Sequence, residues 1–512
     1  MFSFLAALFR KRPKPSANEN RMLQPPAPGP ENVHTELARN IQYVKEQFTL
    51  TPDLVVRHIH GETPAALVYL DSLTDKNSIN NDIVLPLIRA TSYPPDQPPV
   101  ATGDVRKTSD WSAVEHAVYH GKSVLFVEGS GRASILGTQG WPQRAIEDPQ
   151  LEASLKGAHQ GFVETGSQNI ALIRRYIPHN ELKIKQFDIS SRGNCKLSVM
   201  YLRDVADPAV LEKLEQRIKE LKIDNIINTG ELAEFIEDHA FSPFPQFILT
   251  ERPDTAASHV MQGRYAVVVD RSPSVLIGPV SFISFFQSVD DYSMRWISAS
   301  FIRLLRFFAA FVALFLPAIY IALISFNYEV IPIQLLLSIA ESRARVPFHP
   351  FMEAFIMEIT LELMREAGIR LPAPIGQTVG LVGGIIIGQT AVQTGIVSNI
   401  MVIVVASTAI ASFVIPNHDM GAAIRLLRFP MMLMAFMFGL VGIVIGAMIM
   451  LAHLLSLQSL GTAYGSPFGP VRFTDWKDTL LRFPLWTMIK RPTGPRPKQE
   501  NRLEEDPAGK RP

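Results

Sequence analysis

Acidic side chains recur at helical spacing inside the apolar half of the chain. Glu358, Glu362 and Glu366 stand at positions i, i+4 and i+8, so they share one face of a helix. The surrounding segment 341–377 holds five glutamates and four arginines. A bilayer interior disfavours each such charge by at least ~2.5 kcal/mol at a helix centre. Carboxylates at this depth therefore need water, either at the membrane surface or along a path through the membrane.

Two interpretations of this helix stay open from the residues alone. In the first, the helix lies flat at the interface and its acids pair with arginines, as Glu362 can with Arg365 at i, i+3. In the second, the acidic side faces an ion path, where carboxylates attract cations. The pore or gate candidates are then three glutamates and three bulky apolar neighbours: Glu353, Glu358, Glu362, Met352, Phe355 and Ile356. Removing the charge of Glu358 or Glu362 is expected to reduce cation flow and leave assembly intact.

A glycine at every fourth position marks the next apolar segment. On a helix these glycines form a bare stripe that lets backbones approach closely in lipid. They are Gly376, Gly380, Gly384 and Gly388. Polar side chains in the same region could bond neighbouring helices or line a polar path: Gln377, Gln389 and Gln393. The pattern predicts tight helix packing, within the chain or between copies, and does not indicate the partner.

The distribution of charge divides the 512 residues into two halves. Charged residues concentrate in 1–306, and long apolar runs concentrate in 304–460. The formal net charge of +1 argues against a general nucleic-acid binder. The single cysteine, Cys195, excludes an intrachain disulfide. We find no complete phosphate-binding, metal-binding or hydrolase motif, so the sequence predicts no catalytic residue, metal or cofactor.

Periodicity predicts a two-lobed α/β soluble half followed by an all-α transmembrane domain. The expected parts are a disordered lead-in, a first α/β lobe, a linker, a second α/β lobe, a transmembrane helical domain and a polar disordered tail: 1–31, 32–139, 140–161, 162–281, 282–470 and 471–512. Spans near the ~20 apolar residues that a membrane helix needs are predicted at Leu304–Phe326, Gly376–Gly395, Ser398–Pro416 and Phe429–Leu457. Arg303 and Arg306, before the first span, favour a cytoplasmic soluble half. The number of crossings and the side of the tail stay open.

Long, ordered stretches of the chain resemble one known family. They are RAIEDP (144–149), GFVETGSQNIALIRR (161–175), FSPFPQ with TERPD (241–254), FFQSVDDY (285–292), SRARVPFHPFMEAFIMEITLELMREAGIRLPAPIGQ, GGIIIGQTAVQTGIVSNIMVIVVASTAIASFVIP and IRLLRFP. Together they resemble the A subunits of the spore germinant receptors of endospore-forming bacteria, from about the first lobe to Pro470. The stage V sporulation protein AF, an accessory-channel type, shares the pattern and stays an alternative.

The resemblance implies a protein of the inner membrane of the dormant spore, with a cytoplasmic soluble half. It implies two companions, a permease-like B subunit that binds the nutrient and a lipoprotein C subunit. It also implies that A subunits form a ring in membrane lipid, a pentamer, which acts as a nutrient-gated cation channel. The acidic helix would then serve as pore or gate. A secondary transporter is the alternative from another class, and a membrane-anchored enzyme would need a catalytic constellation in 32–279 that we do not find.

Overall fold

The computed structural model describes residues 32–90, 92–140, 152, 157–189, 192–193 and 195–502, except for the side chains of 373–374, 377–382 and 385. The predicted lead-in at 1–31 and most of the predicted linker lie outside the described residues. Contacts divide the chain into two compact units. The first contains the described chain up to Glu46, Val55–Leu70 and Thr74–Gln139, and the second contains Gln47–Leu54, Asp71–Leu73 and the chain from Gly140 onward.

The first unit is built on a five-stranded sheet in the order β1-β2-β4-β5-β3. Its strands are β1 (Leu54–Ile59), β2 (Ala65–Leu70), β3 (Val105–Thr108), β4 (Ser123–Val127) and β5 (Ala133–Leu136). Its helices are α1 (Leu37–Gln47), a continuous helical segment (Lys76–Ser78, Ile79–Val84 and Leu85–Arg89) and α2 (Trp111–Tyr119). Asp110 begins α2 by accepting a hydrogen bond from the Ser112 amide at 3.0 Å. Strands β2, β4 and β5 are buried along their whole length, which explains their unbroken apolar runs.

The second unit begins with another five-stranded antiparallel sheet, in the order β6-β7-β9-β10-β8. Its strands are β6 (Leu182–Ile189), β7 (Cys195–Leu202), β8 (Ile248–Thr250), β9 (Tyr265–Val269) and β10 (Val275–Gly278). Its helices are α3 (Gly166–Tyr176), α4 (Pro208–Glu220), α5 (Thr229–Ile236) and α6 (Pro253–Met261). The predicted hairpin of β9 and β10 is confirmed, and Arg271 turns it with a φ of 68°. We call this part, with its helices, the second lobe.

The C-terminal half is helical, as predicted. Its helices are α7 (Trp296–Ser325), α8 (Ile333–Arg343), α9 (Pro350–Arg370), α10 (Ala373–Gln393), α11 (Asn399–Phe413) and α12 (His418–Ser456). In the part of the chain that the structure describes, α7 and α12 are long and apolar enough to cross a membrane, and α11 is a shorter apolar helix.

Helix α12 reverses direction at Gly439. That residue has φ 60° and ψ −139°, outside the helical region, and glycine adopts such a conformation without the strain of a Cβ. A Cβ placed on Gly442 would overlap the carbonyl oxygen of Met434, and one on Gly446 would lie 2.7 Å from the sulfur of Met431. Residues so far apart cannot meet along a straight helix, which rises 1.5 Å per residue. The 39 residues of α12 therefore form a tight helical hairpin.

Both ends of this hairpin lie beside the second lobe. At its end, His453 Nε2 is 2.9 Å from the hydroxyl of Ser242. At its start, Asp419 lies close enough to Glu237 of the lobe for its charge to raise the pKa of that carboxyl group. The tip at Gly439 instead contacts Phe326, which follows the end of α7. Helix α7 thus runs from the lobe to a far end of the bundle, and α12 goes to that end and returns.

The helices between α7 and α12 alternate in the same way. Glu353, near the start of α9, bonds the amide of Ser398 before α11, whereas Arg365 bonds Ser412 near the end of α11. Helices α9 and α11 therefore run in parallel toward the lobe. Helix α10 runs opposite to α9, because a Cβ on Gly376 would lie 2.8 Å from the carbonyl oxygen of Gly368 across the turn between them. Counting the two arms of α12, six helical passes connect the two ends of the bundle.

The segment 471–502 returns to the second lobe, which differs from the disordered tail that we expected. The Lys498 amide donates to the carbonyl of Val205 at 2.8 Å, and Arg491 Nε donates to the carbonyl of Met261 at 3.0 Å. Two short 3-10 turns, Phe473–Asp478 and Leu485–Thr487, lie along it. The polar composition that suggested disorder instead supplies these bonds. Residues 503–512 lie outside the described part.

Candidate functional site

Helix α9 holds its four glutamates in two environments. The imidazole of His349 caps the helix by accepting a hydrogen bond from the Phe351 amide at 3.3 Å. Glu353, on the first turn, is fully buried. It lies 2.8 Å from Arg343 Nη1 and accepts a 2.5 Å hydrogen bond from the Ser398 amide. Glu353 therefore links α8, α9 and the start of α11.

The second glutamate, Glu358, forms a buried ion pair with Arg428 of α12. Their side chains are 1% and 2% exposed. Arg428 Nε also donates to the carbonyl of Ala313 in α7 at 2.9 Å. Removing two charges from water is costly, and such a pair is maintained because each partner compensates the other. The Glu358–Arg428 pair thus joins α7, α9 and α12 in the middle of the bundle.

Glu362 differs from both, because its side chain is 41% exposed. It lies 3.9 Å from Arg365 Nη1 and 3.4 Å from Arg425 Nε. Arg365 is further held by the Ser412 hydroxyl at 3.0 Å and by the Phe413 ring, 4.9 Å from its guanidinium. Glu366, one turn on, is exposed and pairs with Arg370 at 2.6 Å. The two lobe-side glutamates of α9 are therefore accessible.

Several side chains of α9 are exposed, among them Leu363 at 66% and Ile369 at 67%. Five accessible residues recur at intervals of three and four, which places them on a single helical face: Met352, Phe355, Ile359, Glu362 and Glu366. The first three, toward the far end of the bundle, are apolar, and the last two, toward the lobe, are acidic. We call these five residues the α9 stripe. Ile356 lies beside it and is half-buried.

In α10, the described glycines face neighbouring helices, whereas the described glutamine side chains are exposed. Gly376 approaches the backbone of α9, and Gly384 faces Met364 of α9, 3.8 Å from where a Cβ would lie. Gly388 faces Val402 of α11 at 3.9 Å. Gln389 and Gln393 are exposed. Gly380 and the side chain of Gln377 lie outside the described part.

A second charged cluster, which sequence reasoning missed, joins the second lobe to α7. Asp291 is fully buried and lies 3.1 Å from Arg303 Nη2 and 2.9 Å from Arg306 Nη1. Arg303 also reaches Asp478 of the C-terminal segment at 2.8 Å. Arg252 of the lobe bridges Asp254 at 2.7 Å and Asp290 at 3.3 Å. We call these residues the junction cluster.

The junction cluster changes the interpretation of the two arginines before the first span. Arg303 and Arg306 are buried and paired within the chain, so they are not a free basic flank at the membrane surface. The available sequence signal was the pair of motifs TERPD and FFQSVDDY, whose charged residues meet here. Likewise, Arg425 and Arg428 stand at i, i+3 in an apolar helix and share one face of it, and in the structure they meet Glu362 and Glu358 of α9.

Comparison with known proteins gives this arrangement its context. Residues 42–494 match the sequence model of the Bacillus/Clostridium GerA spore germination proteins. The chain belongs to this family. Spore germination protein KA of Bacillus subtilis is 39% identical over 471 residues, which cover 90% of this chain and 87% of that protein. The uncharacterized membrane protein YfkQ of the same organism is 40% identical over 83% of this chain and 84% of its own length.

Among solved structures, the chain is similar to the N-terminal domain of the A subunit of the Bacillus megaterium spore germinant receptor GerK3. It is 26% identical with a TM-score of 0.39, and the match covers 49% of this chain and 97% of that one. The predicted resemblance to germinant-receptor A subunits is thus confirmed at the level of the family. The motifs around α9 and the junction cluster lie within the matched residues 42–494.

Proposed function

We propose that this chain is the A-type membrane subunit of a spore nutrient germinant receptor, and that copies of it form a ring that conducts cations. Family membership supports the receptor part of this proposal. The α9 stripe supports the channel part. It leaves two carboxylates accessible on a helix whose other two glutamates, Glu353 and Glu358, are buried in ion pairs.

The α9 stripe has the two properties that a gated cation path requires. Its acidic end would attract cations, and its apolar end would exclude water when neighbouring copies bring the stripes together. Met352 and Phe355, predicted as gate residues, belong to that apolar end. Glu353 and Glu358 lie in buried pairs, so in this proposal they hold the bundle together and Glu362 attracts the ions.

The six helical passes support a membrane topology in which the bundle crosses the inner spore membrane. An even number of passes returns the chain to its starting side, and the C-terminal segment does bond the second lobe. In this proposal the lobes and the C-terminal segment share the cytoplasmic side. A permease-like B subunit and a lipoprotein C subunit would complete the receptor, with nutrient binding favouring the open ring through its differential affinity for the two states.

Cation flux from proteoliposomes tests the channel. Glu362→Gln is expected to reduce passive efflux of a monovalent cation, because it removes one accessible negative charge per copy. Glu341→Gln, which removes an exposed charge from α8, is the matched control and should leave flux unchanged. Normal flux from Glu362→Gln would refute the assignment of this residue.

Three further readouts test the alternatives and the assembly. Uptake in fixed stoichiometry with a second solute would indicate a secondary transporter in place of a channel. In spores, ion release that does not depend on the nutrient would favour an accessory channel of the stage V sporulation protein AF type. The mass of the purified protein in detergent shows whether a ring, and a pentamer in particular, forms.

A further inference from the structure

The C-terminal segment separates its polar and apolar side chains onto two sides. Its inward side consists of hydrogen-bonding groups. Asp478 accepts bonds from Arg303 Nη1 at 2.8 Å and from the Tyr292 hydroxyl at 2.6 Å. The Arg482 amide and carbonyl both bond the Ser300 hydroxyl, at 3.1 and 2.8 Å. The segment is thereby fixed along the first turns of α7.

The outward side of the same segment is mainly aromatic and aliphatic, although Thr474 and Lys477 are exposed there too. Its exposed large side chains are Phe473, Trp476, Leu480, Leu481, Leu485 and Trp486. Phe473 and Trp476 pack with tilted rings, whose centroids are 5.2 Å apart. The Ser300 bonds hold this segment against the start of α7, where Trp296, the first residue of that helix, is also exposed.

Tryptophan is unevenly distributed over the described part of the chain. Trp111 is buried in the first unit at 3% exposure, whereas Trp296, Trp476 and Trp486 are 45%, 42% and 48% exposed. All three exposed tryptophans therefore lie where the lobe meets the proposed span. Tryptophan is enriched at membrane–water interfaces, because its ring is apolar and its N–H can bond in the headgroup layer.

We propose that residues 473–486 form an interfacial collar that binds the lipid headgroup and acyl-chain boundary around the start of α7. The proposal rests on the membrane-spanning bundle of the proposed function and assigns the C-terminal segment its partner, the bilayer surface. The inward bonds to Ser300, Arg303 and Tyr292 hold the collar at that depth. Anchoring the segment in lipid also keeps Asp478 on the junction cluster.

Fluorescence in vesicles tests the collar with the chain's own tryptophans. The full-length chain is reconstituted in phosphatidylcholine vesicles with or without acyl chains brominated near the headgroup. Trp476→Phe/Trp486→Phe is expected to lower the lipid-quenched emission by roughly two thirds, since it removes two of the three tryptophans that are exposed among the described residues. Trp111→Phe, the control, should not change the quenched emission. Adding Phe473→Trp to the double variant should restore part of it.

Three results would overturn the collar. One is lipid-quenched emission that is the same in the wild type and in the double variant, with Trp296 still quenched by lipid. That result would mean that the bundle is inserted in the membrane but the collar lies outside the lipid. Another is strong quenching of the collar tryptophans by aqueous iodide in vesicles. A third is protection from iodide that disappears at low protein-to-lipid ratio, which would show that a second copy covers this face. If no tryptophan is quenched by lipid, the membrane-spanning proposal fails as well.

Discussion

Replacing Glu358 by leucine should disrupt the bundle, not merely a charge on an ion path. The carboxylate and its partner Arg428 are 1% and 2% exposed, so Glu358→Leu leaves a guanidinium buried without its counter-charge. Removing one partner of a buried pair costs about 3–5 kcal/mol. At ~2 °C per kcal/mol, the lower figure predicts a thermal midpoint at least about 6 °C below that of the wild type.

The matched variants separate burial from charge. Glu362→Leu removes an equal charge one turn away, from a side chain that is 41% exposed, and an exposed pair contributes only about 0–1 kcal/mol. Its midpoint should therefore fall by no more than ~2 °C. The double variant Glu358→Leu/Arg428→Met removes both buried charges and should recover most of the loss, because apolar replacement of a whole buried pair is often neutral or stabilising.

The assay is thermal unfolding of the purified chain in detergent micelles, followed by intrinsic fluorescence. Equal midpoints for Glu358→Leu and Glu362→Leu would refute the distinction between the two glutamates. A double variant as unstable as the single one would show that Glu358 contributes through some other contact. Midpoints of both single variants equal to that of the wild type would restore the simpler expectation that charge removal at Glu358 leaves the fold intact.

Two further predictions concern the hairpin and the lobe. Gly439→Ala should lower the free energy of unfolding by about 1–3 kcal/mol, because φ there is 60° and the new Cβ would lie 3.0 Å from Asn327 and Phe326. The control is Gly368→Ala, whose new Cβ has no neighbouring atom within 4 Å. Equal thermal midpoints for the two variants would contradict the reversal of α12 at Gly439. Burial, with the charges of Glu234 and Asp419, raises the pKa of Glu237 from 4.5 to about 7, so the folded state retains a proton that the unfolded state has lost. Stability should therefore fall as pH rises from 4.5 to 7. Glu237→Gln should flatten this dependence in midpoints measured across the same range, and an unchanged slope would show that another group is responsible.

Local patterns in the sequence predicted the elements well. Helix α4 begins with an Asp-Pro pair, and apolar residues recur along it at helical spacing. Both signals lie in the helix and its N-cap residue. Residues flanking a short loop likewise predicted the β9–β10 hairpin. Such signals need only a few neighbouring residues, so a single sequence contains them.

Long-range pairing could not be predicted in the same way. Glu358 meets Arg428 across 70 residues, and no spacing rule relates two different helices. The reversal of α12 was missed because a continuous apolar run with one suitable glycine is also compatible with a single long span. The polar composition of the C-terminal segment predicts a disordered tail, yet Asp478 and Arg482 are the residues that bind it to α7.

The junction cluster limits where the protein can change shape. Asp291 pairs with two arginines of α7, and Arg303 connects them to Asp478, so the lobe, the first helix and the C-terminal segment share one buried set of charges. Separating the lobe from α7 would leave buried charges of Asp291 and Arg303 unpaired, at a cost of about 3–5 kcal/mol, and separating the C-terminal segment would break the bond of Arg303 to Asp478. We therefore expect these three parts to move as one body. An opening motion of the proposed channel then has to arise where the contacts are weaker, along the exposed α9 stripe with its half-exposed Glu362, which is the surface that neighbouring copies would reach in the proposed ring.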